Sequence, residues 1–140
     1  MGDKAIITLK KVMQMYQHKL AKDISCPLEY GLEVFGSKWK SRIICVLAAR
    51  GTLRYSALRK EMGNITDAVL ATTLKKLIED GIILRQQFNK IPPHVEYSLS
   101  PKGTSVVPIL QNIYHWAGAY HKEDNENTLV QCQKCDYNRN

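Results

Sequence analysis

Three glycines, Gly51, Gly63 and Gly81, each close a short run of apolar residues spaced by three and four, and this punctuation leaves few folds open. Ahead of Gly51, Trp39, Ile43, Val46 and Leu47 predict a helix from about 37 to 50. Leu53-Arg54-Tyr55 allows no more than a minimal strand, after which Ser56 can cap a helix carrying Ala57, Leu58 and Met62 up to Gly63. Asn64-Ile65 makes a brief turn, Thr66 suits an N-cap, and Leu70, Leu74 and Leu77 predict a helix that stops at Gly81. The result is two short helices joined by a tight turn. Residues 82–88 and 95–99 read as strands, the second turning Val95, Tyr97 and Leu99 inward, with 89–94 and its Pro92-Pro93 pair as the loop of a hairpin.

Amphipathic helices flank this centre. Ile6, Leu9, Met13, Tyr16 and Leu20 place an apolar stripe on residues 4–22, and Ser25-Cys26-Pro27 starts a helix with Leu28, Leu32 and Phe35 that Gly36 ends. Ser100-Pro101 opens a long final helix whose Val106, Leu110, Ile113, Ala117 and Tyr120, flanked by Val107 and Tyr114, make a wide apolar face. From Lys122 the period is lost and a mobile tail is expected. The fold class is mainly α with a small β-hairpin: a winged helix-turn-helix, whose hairpin is the wing and whose second turn-pair helix enters the DNA major groove. The expected organisation is an N-terminal dimerisation helix over 1–24, a DNA-binding domain over 25–100, a C-terminal dimerisation helix over 101–121 and the tail over 122–140. The two terminal apolar faces are hard to bury in one small chain, and a homodimer would cover them. Dimerisation would also set two recognition helices about 34–36 Å apart on a near-palindromic operator.

Charge supports the same partner. Residues 38–90 hold eleven basic and four acidic residues, so the whole +7 of the 140-residue chain lies in that stretch, as a surface meeting a polyanion requires. The longest apolar run, Ile43 to Ala49, falls far short of the roughly 20 residues a membrane helix needs, so no membrane partner and a cytoplasmic location are expected. Opposite the Leu70, Leu74, Leu77 stripe stand Ala68, Thr72, Lys75 and Glu79, with Thr73 and Lys76 at the edge. Thr72 and Lys75 suit base edges, and Lys76 and Arg54 suit phosphates. Thr66, Lys38 and, at the wing tip Asn89-Lys90-Ile91, Lys90 complete the candidate DNA contacts.

The chain resembles the HxlR family of bacterial transcriptional regulators, relatives of the MarR-type winged-helix proteins. The likeness is carried by Cys26-Pro27-Leu28, Gly36-Ser37-Lys38-Trp39-Lys40, Arg54-Tyr55 with Leu58-Arg59, and Ile65-Thr66 with Leu70 and Leu74. It continues through Glu79-Asp80-Gly81-Ile82, Pro93-His94-Val95-Glu96-Tyr97-Ser98-Leu99, and Lys102-Gly103 with Pro108 and Trp116, covering about residues 25–120. The resemblance implies a homodimeric, sequence-specific repressor or activator, with thiol or small-molecule control in many members. It also implies a backbone contact for Arg54 and a sensing role for the cysteine before proline, Cys26. The chain departs from the family at Ala68, Ala71 and Thr73, where Lys, Thr and Arg are frequent, so no operator sequence carries over.

Cys26, Cys45, Cys132 and Cys135 are expected as thiols rather than a disulfide framework. A thiol at a helix N-terminus meets the positive end of the helix dipole, which favours the reactive thiolate, and Lys22 is close in sequence to Cys26. Cys26 is therefore the expected redox- or electrophile-sensing residue, set against a plain N-cap role. Cys45, within Ile43-Ile44-Cys45-Val46-Leu47, is expected as a buried small hydrophobe. Cys132 and Cys135 have metal-ligand spacing, but one such pair lacks the second that a zinc site needs, and His115 sits in an aromatic helix while His121 only completes a set on paper. No metal, no cofactor and no catalytic constellation is expected, so the chain is not read as an enzyme. Two alternatives stay open: a small-molecule effector at the dimer interface, against Tyr16, Trp39, Tyr114 or Trp116, and a metal or protein-interaction module using the Cys132/Cys135 tail.

Overall fold

The structure is a computed structural model and describes residues 24–121. The expected helix over 4–22, the tail over 122–140 and the Cys132/Cys135 pair lie outside the described residues. The chain divides into two units between Ser37 and Lys38. In the first, α1 (Pro27–Phe35) starts as its sequence dictates, with Pro27 in the first turn and Cys26 at the N-cap. Its burial differs from expectation. Val34 is the buried residue, and Leu28 and Leu32, an i, i+4 pair, lie on a side of the helix open to solvent.

The second unit runs α2 (Lys38–Arg50), β1 (Leu53–Arg54), α3 (Tyr55–Met62), α4 (Asp67–Glu79), β2 (Ile83–Phe88), β3 (His94–Leu99) and α5 (Pro101–Gly118). Helix α2 is its hub. Ile43, Ile44, Val46 and Leu47 are all buried, and the helix packs against α3, α4, α5 and β3. So broad a buried surface draws in the stem of Lys40, which is 8% exposed although a charged side chain is ordinarily found at the surface. Cys45 is half-buried rather than in the core. At about 100° per residue it falls on the side of α2 opposite Ile43 and Leu47.

The turn pair forms around three glycine corners. Gly51, Gly63 and Gly81 have φ of 78°, 75° and 74°, a left-handed backbone that glycine adopts without a Cβ penalty. Helix α3 starts two residues earlier than expected: Arg54 is its N-cap and Ser56 lies inside it, because β1 passes directly into the helix. Thr66 caps α4 as expected, its Oγ1 accepting from the Val69 amide at 3.2 Å. Thr66→Ala is therefore expected to lower stability by about 1 kcal/mol, read as a shift in the urea midpoint with an unchanged slope. Ile65, Leu58, Met62, Leu70, Leu74 and Leu77 form the core beneath the pair.

The sheet has the order β1-β3-β2, antiparallel throughout, with Leu53 opposite Tyr97 and the hairpin register running from Ile83 opposite Leu99 to Phe88 opposite His94. The hairpin loop is one residue shorter than expected, since His94 already pairs. Because β3 lies between the other two strands, every one of its residues is half-buried, and the expected inward alternation of Val95, Tyr97 and Leu99 is not seen. At the base of the hairpin, Ser100 ties α5 to the end of α4. Its amide donates to the Ile82 carbonyl at 2.9 Å, and its hydroxyl lies 2.5 Å from the Gly81 carbonyl and 3.0 Å from that of Ile82 while accepting from the Gly103 amide at 3.0 Å. Lys102 Nζ donates to the Asp80 carbonyl at 2.7 Å, filling an acceptor at the C-terminal end of α4.

Candidate nucleic-acid interface

Helix α4 has two chemically distinct sides. Leu70, Leu74 and Leu77 are 3% exposed or less and anchor it, whereas Ala68, Thr72, Lys75, Lys76 and Glu79 are exposed. The anchored side fixes which way the polar side faces, and that coupling lets a short helix present a constant surface. Thr72 Oγ1 donates to the Ala68 carbonyl at 2.8 Å, which points its methyl and its oxygen lone pairs outward. Lys75 has no ion-pair partner among the described residues and extends from the same side. Thr73 differs from expectation. It is 8% exposed and its hydroxyl donates to the Val69 carbonyl at 2.6 Å, because it lies three residues after Leu70 and four before Leu77, beside the anchored side.

The wing carries its own fixed surface. Phe88 and His94, opposite each other at the hairpin end, stack with ring centroids 4.7 Å apart at 16°, and Lys90 Nζ lies 6.0 Å from the Phe88 centroid. His94 Nε2 and Glu96 Oε2 are 3.5 Å apart. Ile91 is 99% exposed at the tip, next to Lys90. Arg54 is exposed where β1 becomes α3, ahead of the turn pair. Lys38 and Arg42 lie over the Trp39 ring at 4.7 and 5.0 Å from its centroid, so Lys38 is held at the start of α2 rather than in the α4 surface. Ala68, Thr72, Lys75 and Lys76 thus share one helix, with Thr66 at its cap, while Arg54 ends β1 and Lys90 lies in the hairpin loop of the same unit. Cys26 belongs to the first unit, where it is exposed and its sulfur makes no cap hydrogen bond. Among the described residues no group of three His, Cys, Asp or Glu is placed to hold a metal, and no helix is long and apolar enough to cross a membrane.

One group escaped the sequence reading. Asp67, the first residue of α4, accepts on Oδ1 from the Tyr55 hydroxyl at 3.1 Å and from Arg59 Nε at 2.5 Å. Partial burial, then the hydrogen bond to Asp67, pushes the Tyr55 hydroxyl above its ordinary range. These are polar residues eight and twelve positions apart on two helices, and no helical period signals their meeting.

The family model described as HxlR-like helix-turn-helix matches residues 34–125. The uncharacterized HTH-type transcriptional regulator BH0655 of Halalkalibacterium halodurans is 36% identical over 104 residues, which cover 74% of this chain and 92% of that protein. The reduced form of the transcriptional regulator YodB from Bacillus subtilis superposes with a TM-score of 0.64 at 30% identity, covering 72% of this chain and all of that one. The redox regulator HypR in its oxidized form superposes with a TM-score of 0.61 at 34% identity, covering 71% of this chain and 100% of that one.

Proposed function

The chain belongs to the HxlR-like helix-turn-helix family of transcriptional regulators, and from that premise we propose that it binds a near-palindromic operator as a homodimer and responds to oxidants or electrophiles through Cys26. The observation that carries DNA reading is the two-sided α4, with its exposed Thr72 and Lys75 opposite a leucine anchor. Thr72 and Lys75 contact base edges beside Ala68. Thr66, Arg54, Lys76, Lys90 and Lys38 serve the phosphates, and Thr73, being buried, takes no part.

Support for a second copy comes from α5 and the turn that follows it. Ile109, Ile113, Trp116 and Tyr120 fall on one stripe by their spacing, and all four are exposed, Trp116 by 69% and Tyr120 by 80%. A stripe of that size in water calls for a cover, and a symmetric helix pair supplies one. Support for Cys26 as the sensor is its position: an exposed thiol at a helix N-terminus, with a side chain free of capping duty. The structural relatives YodB and HypR include a redox regulator by description. In the oxidation we propose, two thiols, one of them Cys26 and the other on the partner chain, form a disulfide. Diamide takes up the two electrons and two protons released.

The test is operator binding with and without diamide. Wild type is expected to change its affinity on oxidation, and Cys26→Ser is expected to bind as reduced wild type does in both conditions. A Cys26→Ser protein that still responds to diamide would overturn the sensor assignment and leave operator binding standing.

A further inference from the structure

Asp67 stands where a recognition helix first reaches base edges, at the N-terminal end of α4. A carboxylate at that place is unexpected, because phosphates repel it. Two features offset the repulsion. Arg59 Nε lies 2.5 Å from Oδ1, so the pair carries no net charge, and both side chains remain solvent-accessible, Asp67 by 71% and Arg59 by 44%. The Tyr55 hydroxyl, raised by partial burial and by Asp67 itself, stays protonated and donates to the same oxygen. Two donors from α3 therefore hold one carboxylate oxygen and fix the side chain's rotation. Oδ2 takes no hydrogen bond among the described residues.

An ionised carboxylate only accepts, so its free oxygen needs a donor in the groove. The major groove offers two amino donors, cytosine N4 and adenine N6, and adenine sets the N7 acceptor beside its amino group. N7 repels a carboxylate, and cytosine does not present it. We propose that Asp67 reads a cytosine in each half-site through Oδ2, with Tyr55 and Arg59 as positioning residues that aim it and neutralise it. This assignment rests on α4 entering the major groove.

The test is selection of bound duplexes from a randomised pool by the full-length reduced protein, followed by titration of single-base variants of the selected duplex. Wild type is expected to retain a C·G pair at one position per half-site. Asp67→Asn is expected to reduce that discrimination by about tenfold and to move the preference toward A·T, since an amide side chain matches adenine N6 and N7. Tyr55→Phe, which loosens Oδ1 and leaves the carboxylate in place, is expected to blunt the same preference and no other. Asp67→Glu, which keeps the acceptor, is expected to restore part of it. If Asp67→Asn weakens every duplex by one common factor and keeps all base preferences, Asp67 only ties α3 to α4 and the assignment is overturned. A wild-type protein that selects no consensus at all would instead remove the operator-binding reading itself.

Discussion

Lys75→Glu is expected to weaken specific operator binding by about a hundredfold or more, with thermal stability unchanged. Lys75 is exposed on α4 on the side opposite Leu70, Leu74 and Leu77, and it has no ion-pair partner among the described residues that the change would disturb. Removing a base-edge contact alone costs about 1–3 kcal/mol, and a carboxylate in its place adds repulsion from the phosphates on either side of the groove. Lys75→Ala separates these contributions. As a base-reading residue it is expected to relax preference at one or two base pairs, with the remaining positions unaffected. A uniform loss across all sequences, with a shallower salt dependence, would reassign Lys75 to a phosphate. Titration of operator and single-base variants at two salt concentrations reads both outcomes.

Gly103→Ala is expected to destabilise the protein by about 2–3 kcal/mol, against the ordinary gain from glycine to alanine in a helix. Gly103 is buried in the first turn of α5, where an added Cβ would collide with the Ile82 carbonyl oxygen. That carbonyl is held in place, because it accepts from the Ser100 amide at the joint that closes α4 and opens α5. Relief requires the start of α5 to move away from Ile82, which opens packing around Ile82 and Val106. Gly118→Ala is the matched control: a Cβ there meets nothing within 4 Å, and the same substitution is expected to be neutral or to add up to about 1 kcal/mol. Urea unfolding of both variants checks the pair. Equal effects at the two positions would mean that the contact at Ile82 carries no cost.

What was legible in the sequence was whatever a single helix or turn decides for itself. Thr66 announces its cap, Leu70, Leu74 and Leu77 announce the buried side of α4, and Gly63 and Gly81 mark backbone that turns left-handed. What was not legible depends on a second element. Leu53-Arg54 reads as a minimal strand, but too short for any period to name its partners, Tyr97 and Glu96, more than forty residues away. Gly103 reads as a poor helix residue until the Ile82 carbonyl stands against it. Lys40 and Thr73 look polar and hence outward, yet α2 is enclosed on most sides and Thr73 satisfies its hydroxyl on its own backbone. The Tyr55, Arg59 and Asp67 group is assembled across the turn, so no list of residues along one helix contains it.

The most direct test of the account is fluorescence anisotropy of the reduced full-length protein on its own upstream intergenic DNA, against a scrambled duplex of equal length, at two salt concentrations. The account predicts at least about a thousandfold preference for the upstream duplex at physiological salt, with the preference surviving the higher salt concentration. Equal, weak binding to both duplexes that collapses as salt rises would contradict it, and would reduce the basic stretch from Lys38 to Lys90 to nonspecific charge.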